Sequence, residues 1–111
     1  MKKHTWWKKA ATAGDPDAMN NLGVLLYGQG DLEGARTWWE KAATAGDPGA
    51  MGNLAELLQD QDDLEGARTW WEKAAAAGDP DAMNNLAELL YWQGDLDGAR
   101  TWFRRARGGE A

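Results

Sequence analysis

The stretch DPDAMNNLGVLLYGQGDLEGARTWWEKAATAG, residues 15–46, decides the fold. It returns over residues 47–78 with eight differences in 32 positions, and again from Asp79 with an end that diverges. A fixed period of this length marks a solenoid, whose units stack on their neighbours because none can bury its apolar face alone. Gly14-Asp15-Pro16 supplies a stop and a start: a glycine just past one helix, an aspartate as N-cap, a proline at the first helical position. From there Ala18, Met19, Leu22, Leu25 and Leu26 recur at spacings of three and four and predict one apolar stripe on a helix reaching about Tyr27. Gly30-Asp31 repeats the signal and opens a second helix, Leu32 to Ala45, with Leu32, Ala35, Trp39, Ala42 and Ala43 inward. Two helices joined by so few residues form an antiparallel hairpin.

Working outward, Thr5 to Ala10 aligns with Thr37 to Ala42, so residues 3–14 are expected to form a lone second helix that caps the N-terminal end, made polar by Lys2, Lys3 and Lys8. Repeats over 15–46, 47–78 and 79–107 follow. The last ends in a C-terminal cap, where Phe103 replaces the inner tryptophan and Arg104, Arg105 and Arg107 replace Glu, Lys and Ala. These cations suit the negative end of a helix dipole. The expectation is one all-α domain over 1–111, a right-handed superhelical α-solenoid of seven helices. Two positions of the repeat break local rules. Gly34, Gly66 and Gly98 fall in the first turn of each second helix, where glycine costs about 1 kcal/mol against alanine, and a close contact with a neighbouring helix is expected there. Asp62 stands where Gly30 and Gly94 end the other first helices, and should be forced into a left-handed conformation.

Composition narrows the function. A chain of 111 residues is short for an enzyme that must also build a pocket, so binding is favoured. Without cysteine there are no disulfides or thiolate metal sites, and no apolar run is long enough to span a membrane, which predicts a soluble, cytoplasmic protein. The net charge of −6 is uneven: four lysines lie in residues 1–10, four arginines in 100–107, and between them 17 acidic residues face 4 basic ones. An acidic body excludes nucleic acid as the main partner, because phosphate binding needs a basic stripe.

Asn21-Leu22-Gly23, Tyr27, Gln29-Gly30-Asp31-Leu32, Ala35, Trp38-Trp39 and Lys41-Ala42 together resemble the tetratricopeptide repeat. That family's unit has 34 residues. The connection from Lys41 to Ala50 is two residues shorter and is similar to the inter-repeat turn of Sel-like repeats, whose extra hairpin residues are missing here. The resemblance implies a non-catalytic interaction scaffold whose first helices line a concave groove for a peptide. Its groove-lining positions fall on Asp17, Asn20, Val24, Tyr27 and Gly28, on Gly49, Gly52, Glu56, Gln59 and Asp60, and on Asp81, Asn84, Glu88, Tyr91 and Trp92. Asn21, Asn53 and Asn85 match an asparagine that in the family bonds a bound peptide's backbone; bonding within the hairpin is the competing role.

Five of the eight differences between the first two units are groove positions, whereas Glu33, Arg36, Thr37, Glu40 and Lys41 on the second helix recur unchanged. A surface diversified for binding explains this better than drift, and the near-identity of the copies also fits a recently duplicated or engineered array. The diversified face is acidic and aromatic and lacks Lys and Arg, so it should take a basic or apolar peptide rather than a terminal carboxylate. A single histidine, His4, excludes a His-based triad or multi-His metal site, and Asp60 to Asp63 lacks the glycine and glutamate spacing of a calcium loop. No cofactor or metal is expected. In the alternative, the chain is a structural unit whose basic ends meet acidic bodies of other copies in a homo-oligomer, or a scaffold without a natural ligand.

Overall fold

A computed structural model describes residues 3–108, with side chains from Lys8 onward; Lys2 and the side chains of Lys3 and His4 lie outside the described residues. Seven α-helices follow one another: α1 (Lys3–Thr12), α2 (Pro16–Gly28), α3 (Leu32–Thr44), α4 (Pro48–Asp60), α5 (Leu64–Ala76), α6 (Pro80–Trp92) and α7 (Leu96–Ala106). Each packs on its neighbours in the sequence, giving a slab with extents of 50 × 27 × 18 Å. None is long and apolar enough to cross a membrane.

The helix boundaries follow from local chemistry. Asp15, Asp47 and Asp79 cap the first helices, accepting from the backbone N–H of Asp17, Ala50 and Asp81 at 3.0–3.1 Å, and a proline opens each helix. Asp31, Asp63 and Asp95 cap the second helices and accept from Gly34, Gly66 and Gly98, each at 2.9 Å. These contacts correct the expectation for the three glycines. Their crowding comes from the capping aspartate of the same helix, since a Cβ on Gly66 would lie 2.6 Å from Asp63 Oδ2, and not from a neighbouring helix. At the hairpin turns Gly30 and Gly94 have φ of +84° and +88°, and Asp62 is held at +66° in the same left-handed region.

The core is a seam of Ala35, Trp39, Ala42, Ala50, Leu54, Leu58, Ala67, Trp71, Leu86 and Leu90, with a second, smaller cluster of Ala11, Ala18 and Leu22 at the N-terminal side and the partly buried Met19 and Leu26 packed against both. Alanines let the backbones approach closely, and the rings of Trp39 and Trp71 fill the space that remains. Trp39 and Trp71 are only 4% and 2% exposed. Trp38, Trp70 and Trp102 are each half-buried beneath a cation: Lys41 Nζ lies 4.9 Å from the Trp38 ring, Lys73 Nζ 5.3 Å from Trp70, and the Arg105 guanidinium 4.8 Å from Trp102. Trp38 and Trp39, like Trp70 and Trp71, therefore serve different faces of the same helix.

Candidate functional site

Position by position, the 3.6-residue period puts Val24, Tyr27, Glu56 and Asp60 on one side of α2 and α4. The packing of the first two hairpins brings these four together around a cleft of about 160 Å³, with Asn53, Leu57 and the Trp39 ring completing its walls. Val24 and Tyr27 are about half exposed, at 49% and 46%. Tyr27 and Trp39 meet with ring centroids 5.7 Å apart at a tilt of 37°. Two carboxylates and two aromatic rings thus border a space the size of one long side chain.

Trp39 reaches this cleft because Gly23 has no side chain. A Cβ on Gly23 would overlap the indole, lying 2.9 Å from its Cε2. The ring is then fixed by its Nε1–H, which donates to the Asn20 carbonyl at 3.2 Å. Asn20 also accepts through its side chain, from Asn53 Nδ2 at 3.0 Å. The asparagine expected to serve either a peptide or its own hairpin thus ties one hairpin to the next. No matching tie joins Asn85 to the second repeat, because the position equivalent to Asn20 is Gly52. Asn21 and Asn85 are half-buried.

The remaining expected groove residues divide. Gln59, Asp81, Asn84 and Glu88 are exposed on the first helices but do not line the cleft. Asp17 is exposed, and its charge acts on Asp47, whose carboxyl is raised above the ordinary value by partial burial and by Asp17, against the opposing Ala50 N–H bond. Tyr91 does not join Tyr27; it borders a separate groove at the C-terminal end with Leu96, Phe103 and Arg100. Trp92, 80% exposed, makes an edge-to-face contact with Tyr91 at 5.5 Å. Trp39 and Leu57 were absent from the residues expected to bind. The signal for Trp39 was Gly23 itself, the one glycine at a position that is alanine in both later repeats.

Antiparallel helix pairs stacked in chain order, with an open face built from their first helices, define a helical-repeat scaffold. The tetratricopeptide repeat pattern matches residues 17–45 and 81–107, more than half of the chain, and a second pattern of the same name matches 43–73. The chain belongs to the tetratricopeptide repeat family. A Sel1 repeat pattern matches residues 4–15 as well. Such repeats generally mediate contacts between proteins and are typically non-catalytic. Among solved structures, a sel1 repeat protein from Klebsiella pneumoniae subsp. pneumoniae is 30% identical with a TM-score of 0.74, over 94% of this chain and 53% of that one. A Sel1 repeat protein from Oxalobacter formigenes is 28% identical with a TM-score of 0.77, over 96% and 49%. The pilF protein of Pseudomonas aeruginosa, 22% identical over 95% of this chain and 51% of its own, shares the fold with a TM-score of 0.77. The chain spans about half the length of these structures. No curated protein matches it.

Proposed function

We propose that the chain acts as a single repeat domain that binds a basic, partly apolar peptide across its first helices, with one Lys or Arg side chain entering the cleft between α2 and α4. The observation that carries this is the meeting of Glu56 and Asp60 with the rings of Tyr27 and Trp39 around one cleft. Carboxylates offer charge-assisted bonds to an ammonium or guanidinium group, and the ring faces add cation–π attraction. Glu88 lies one repeat on from Glu56 and extends the acidic character along the face, and the nearly bare Trp92 is a candidate anchor for an apolar residue. Asp17, Asn20, Asn21, Gln59, Asp81, Asn84, Asn85 and Tyr91 complete the proposed surface as its flanks.

Titration calorimetry with a Lys/Arg-rich apolar peptide, set against the same peptide with glutamates in place of its cations, tests the proposal. The basic peptide should bind and the acidic one should not. Glu56→Lys with Glu88→Lys should weaken binding by about 1–3 kcal/mol while leaving helicity and melting nearly unchanged, because both side chains are exposed. Equal binding of the two peptides, or unfolding of the double variant with affinity untouched, would place the binding face elsewhere.

A further inference from the structure

The third hairpin ends in a second, wider groove, of about 570 Å³, whose charged side chains are of opposite sign to those of the first cleft. Tyr91 takes the repeat position of Tyr27 and Phe103 that of Trp39, while Leu96, Arg100 and Arg104 on α7 and Arg107 at its C-cap form the outer wall. On α3 and α5 the corresponding face is where α4 and α6 pack, and Trp39 and Trp71 are buried beneath them. Phe103 is only half-buried, and Tyr91 and Leu96 are 54% and 53% exposed.

Charge distinguishes this face from the two interior ones. Arg36 and Arg68 are each paired with a glutamate one turn on, Glu40 and Glu72, at 3.0 Å. Arg68 also meets the next hairpin through a neutral amide, Gln93, at 3.3 Å. On α7 the paired glutamate is replaced by Arg104, and Arg107 stands where α3 and α5 have Ala43 and Ala75. Arg100 keeps a single, looser partner in the fully exposed carboxylate of Asp97, at 3.6 Å. Three guanidinium groups therefore ring an apolar groove shaped like an interhelical seat.

We propose that this end face docks an acidic amphipathic helix of a partner protein, seated on α7 as α4 is seated on α3 and α6 on α5. In those interior interfaces the incoming helix begins over the last turn of its predecessor, so the first turn of the docked helix would lie over Arg104 and Arg107. Acidic residues belong in that turn on two counts: the helix dipole favours them there, and the arginines would meet them. An apolar stripe behind them would cover Phe103 and Leu96. Charge also argues against a second copy stacked end to end, because α1 presents exposed Lys8 and Lys9. This groove shares no residue with the cleft between α2 and α4, and its charge preference is opposite.

A labelled peptide of residues Asp79–Trp92, which reproduces α6 with its capping aspartate, is a suitable probe because it is already shaped for such a seat. Fluorescence anisotropy with the full chain should show saturable binding that falls as salt is raised. Arg104→Gln with Arg107→Gln should weaken it about tenfold, and so should replacing Asp81 and Glu88 of the peptide by Asn and Gln. Glu56→Lys with Glu88→Lys in the chain should leave it unchanged. Circular dichroism of each variant checks that α7 stays folded. Absence of saturable binding, equal binding by the arginine variant, or loss of binding only in the first-helix variant would each overturn the proposal. So would salt-sensitive self-association of the chain that depends on Arg104 and Arg107, which would make a second copy the occupant.

Discussion

The first and second hairpins place the same tryptophan in two different ways. In the first, Gly23 leaves room for the Trp39 indole, whose Nε1–H reaches the Asn20 carbonyl. In the second, Ala55 fills the equivalent space, and Trp71 Nε1 is buried with no hydrogen-bond partner. A buried donor left unpaired costs about 1–3 kcal/mol, so the second seat is the poorer one for the polar atom although the ring itself is as deeply buried. The difference teaches that variation between repeats is not all surface variation. Gly23 in place of Ala55 decides how the indole is held, and Asn20 in place of Gly52, an exchange that looks like groove tuning, decides whether neighbouring hairpins are tied by an asparagine pair.

Removing either ring has the largest expected effect. Trp39→Ala and Trp71→Ala should each cost about 3–5 kcal/mol in urea denaturation, as expected of a large buried aromatic. Trp→Phe sharpens it: the cost at position 39 should exceed that at 71 by about 1 kcal/mol, because only Trp39 loses a hydrogen bond. Equal costs would mean that the bond to Asn20 contributes nothing.

Next in size is Gly23→Ala. The added methyl would push the Trp39 ring from its place and should destabilise the protein by about 1–3 kcal/mol, the range for overpacking a filled site. A neutral result would show that the first hairpin can adopt the arrangement of the second without loss. Asp62→Gly works in the opposite direction at the second hairpin's turn. It relieves a left-handed conformation at a residue with a Cβ and should stabilise by about 1 kcal/mol, read as a raised melting temperature.

The smallest expected effect is electrostatic. Asp47 holds its proton more tightly in the folded state than the ordinary value of 3.8 would allow. Between that value and the raised one the native state binds more protons than the unfolded chain, so stability falls as pH rises through the interval. Asp17→Asn removes one of the causes and should bring the NMR titration of Asp47 back toward 3.8. An unmoved titration would assign the shift to burial alone.

Most of the fold was legible because stop and start chemistry recurs in every turn. Asp-Pro after glycine marks each first helix, Asp-Leu each second one, and the left-handed turn at Asp62 followed from its alignment with Gly30 and Gly94. At the glycines of the second helices the sequence shows that space is needed without showing that the atoms needing it belong to the capping aspartate. The candidate site was legible only in its first-helix half. Val24, Tyr27, Glu56 and Asp60 could be placed on one face by period, whereas Trp39 enters from α3 through a gap that exists only once α2 and α3 are packed. Repeat position groups Tyr91 with Tyr27, yet each of these tyrosines borders the groove beside its own hairpin, and the groove beside Tyr91 has the rest of its wall on α7 and its C-cap, with no following helix opposite among the described residues.

The eight indole N–H groups offer the most direct test of the central claim, that a basic peptide enters the cleft beside Trp39. In a nitrogen-15 correlation spectrum, titration with a Lys/Arg-rich apolar peptide should shift the Trp39 and Trp92 cross-peaks. Those of Trp38, Trp70 and Trp102, which lie under their own cations, should stay in place. Movement of these three with Trp39 unmoved, or the same shifts produced by an acidic peptide, would contradict the account.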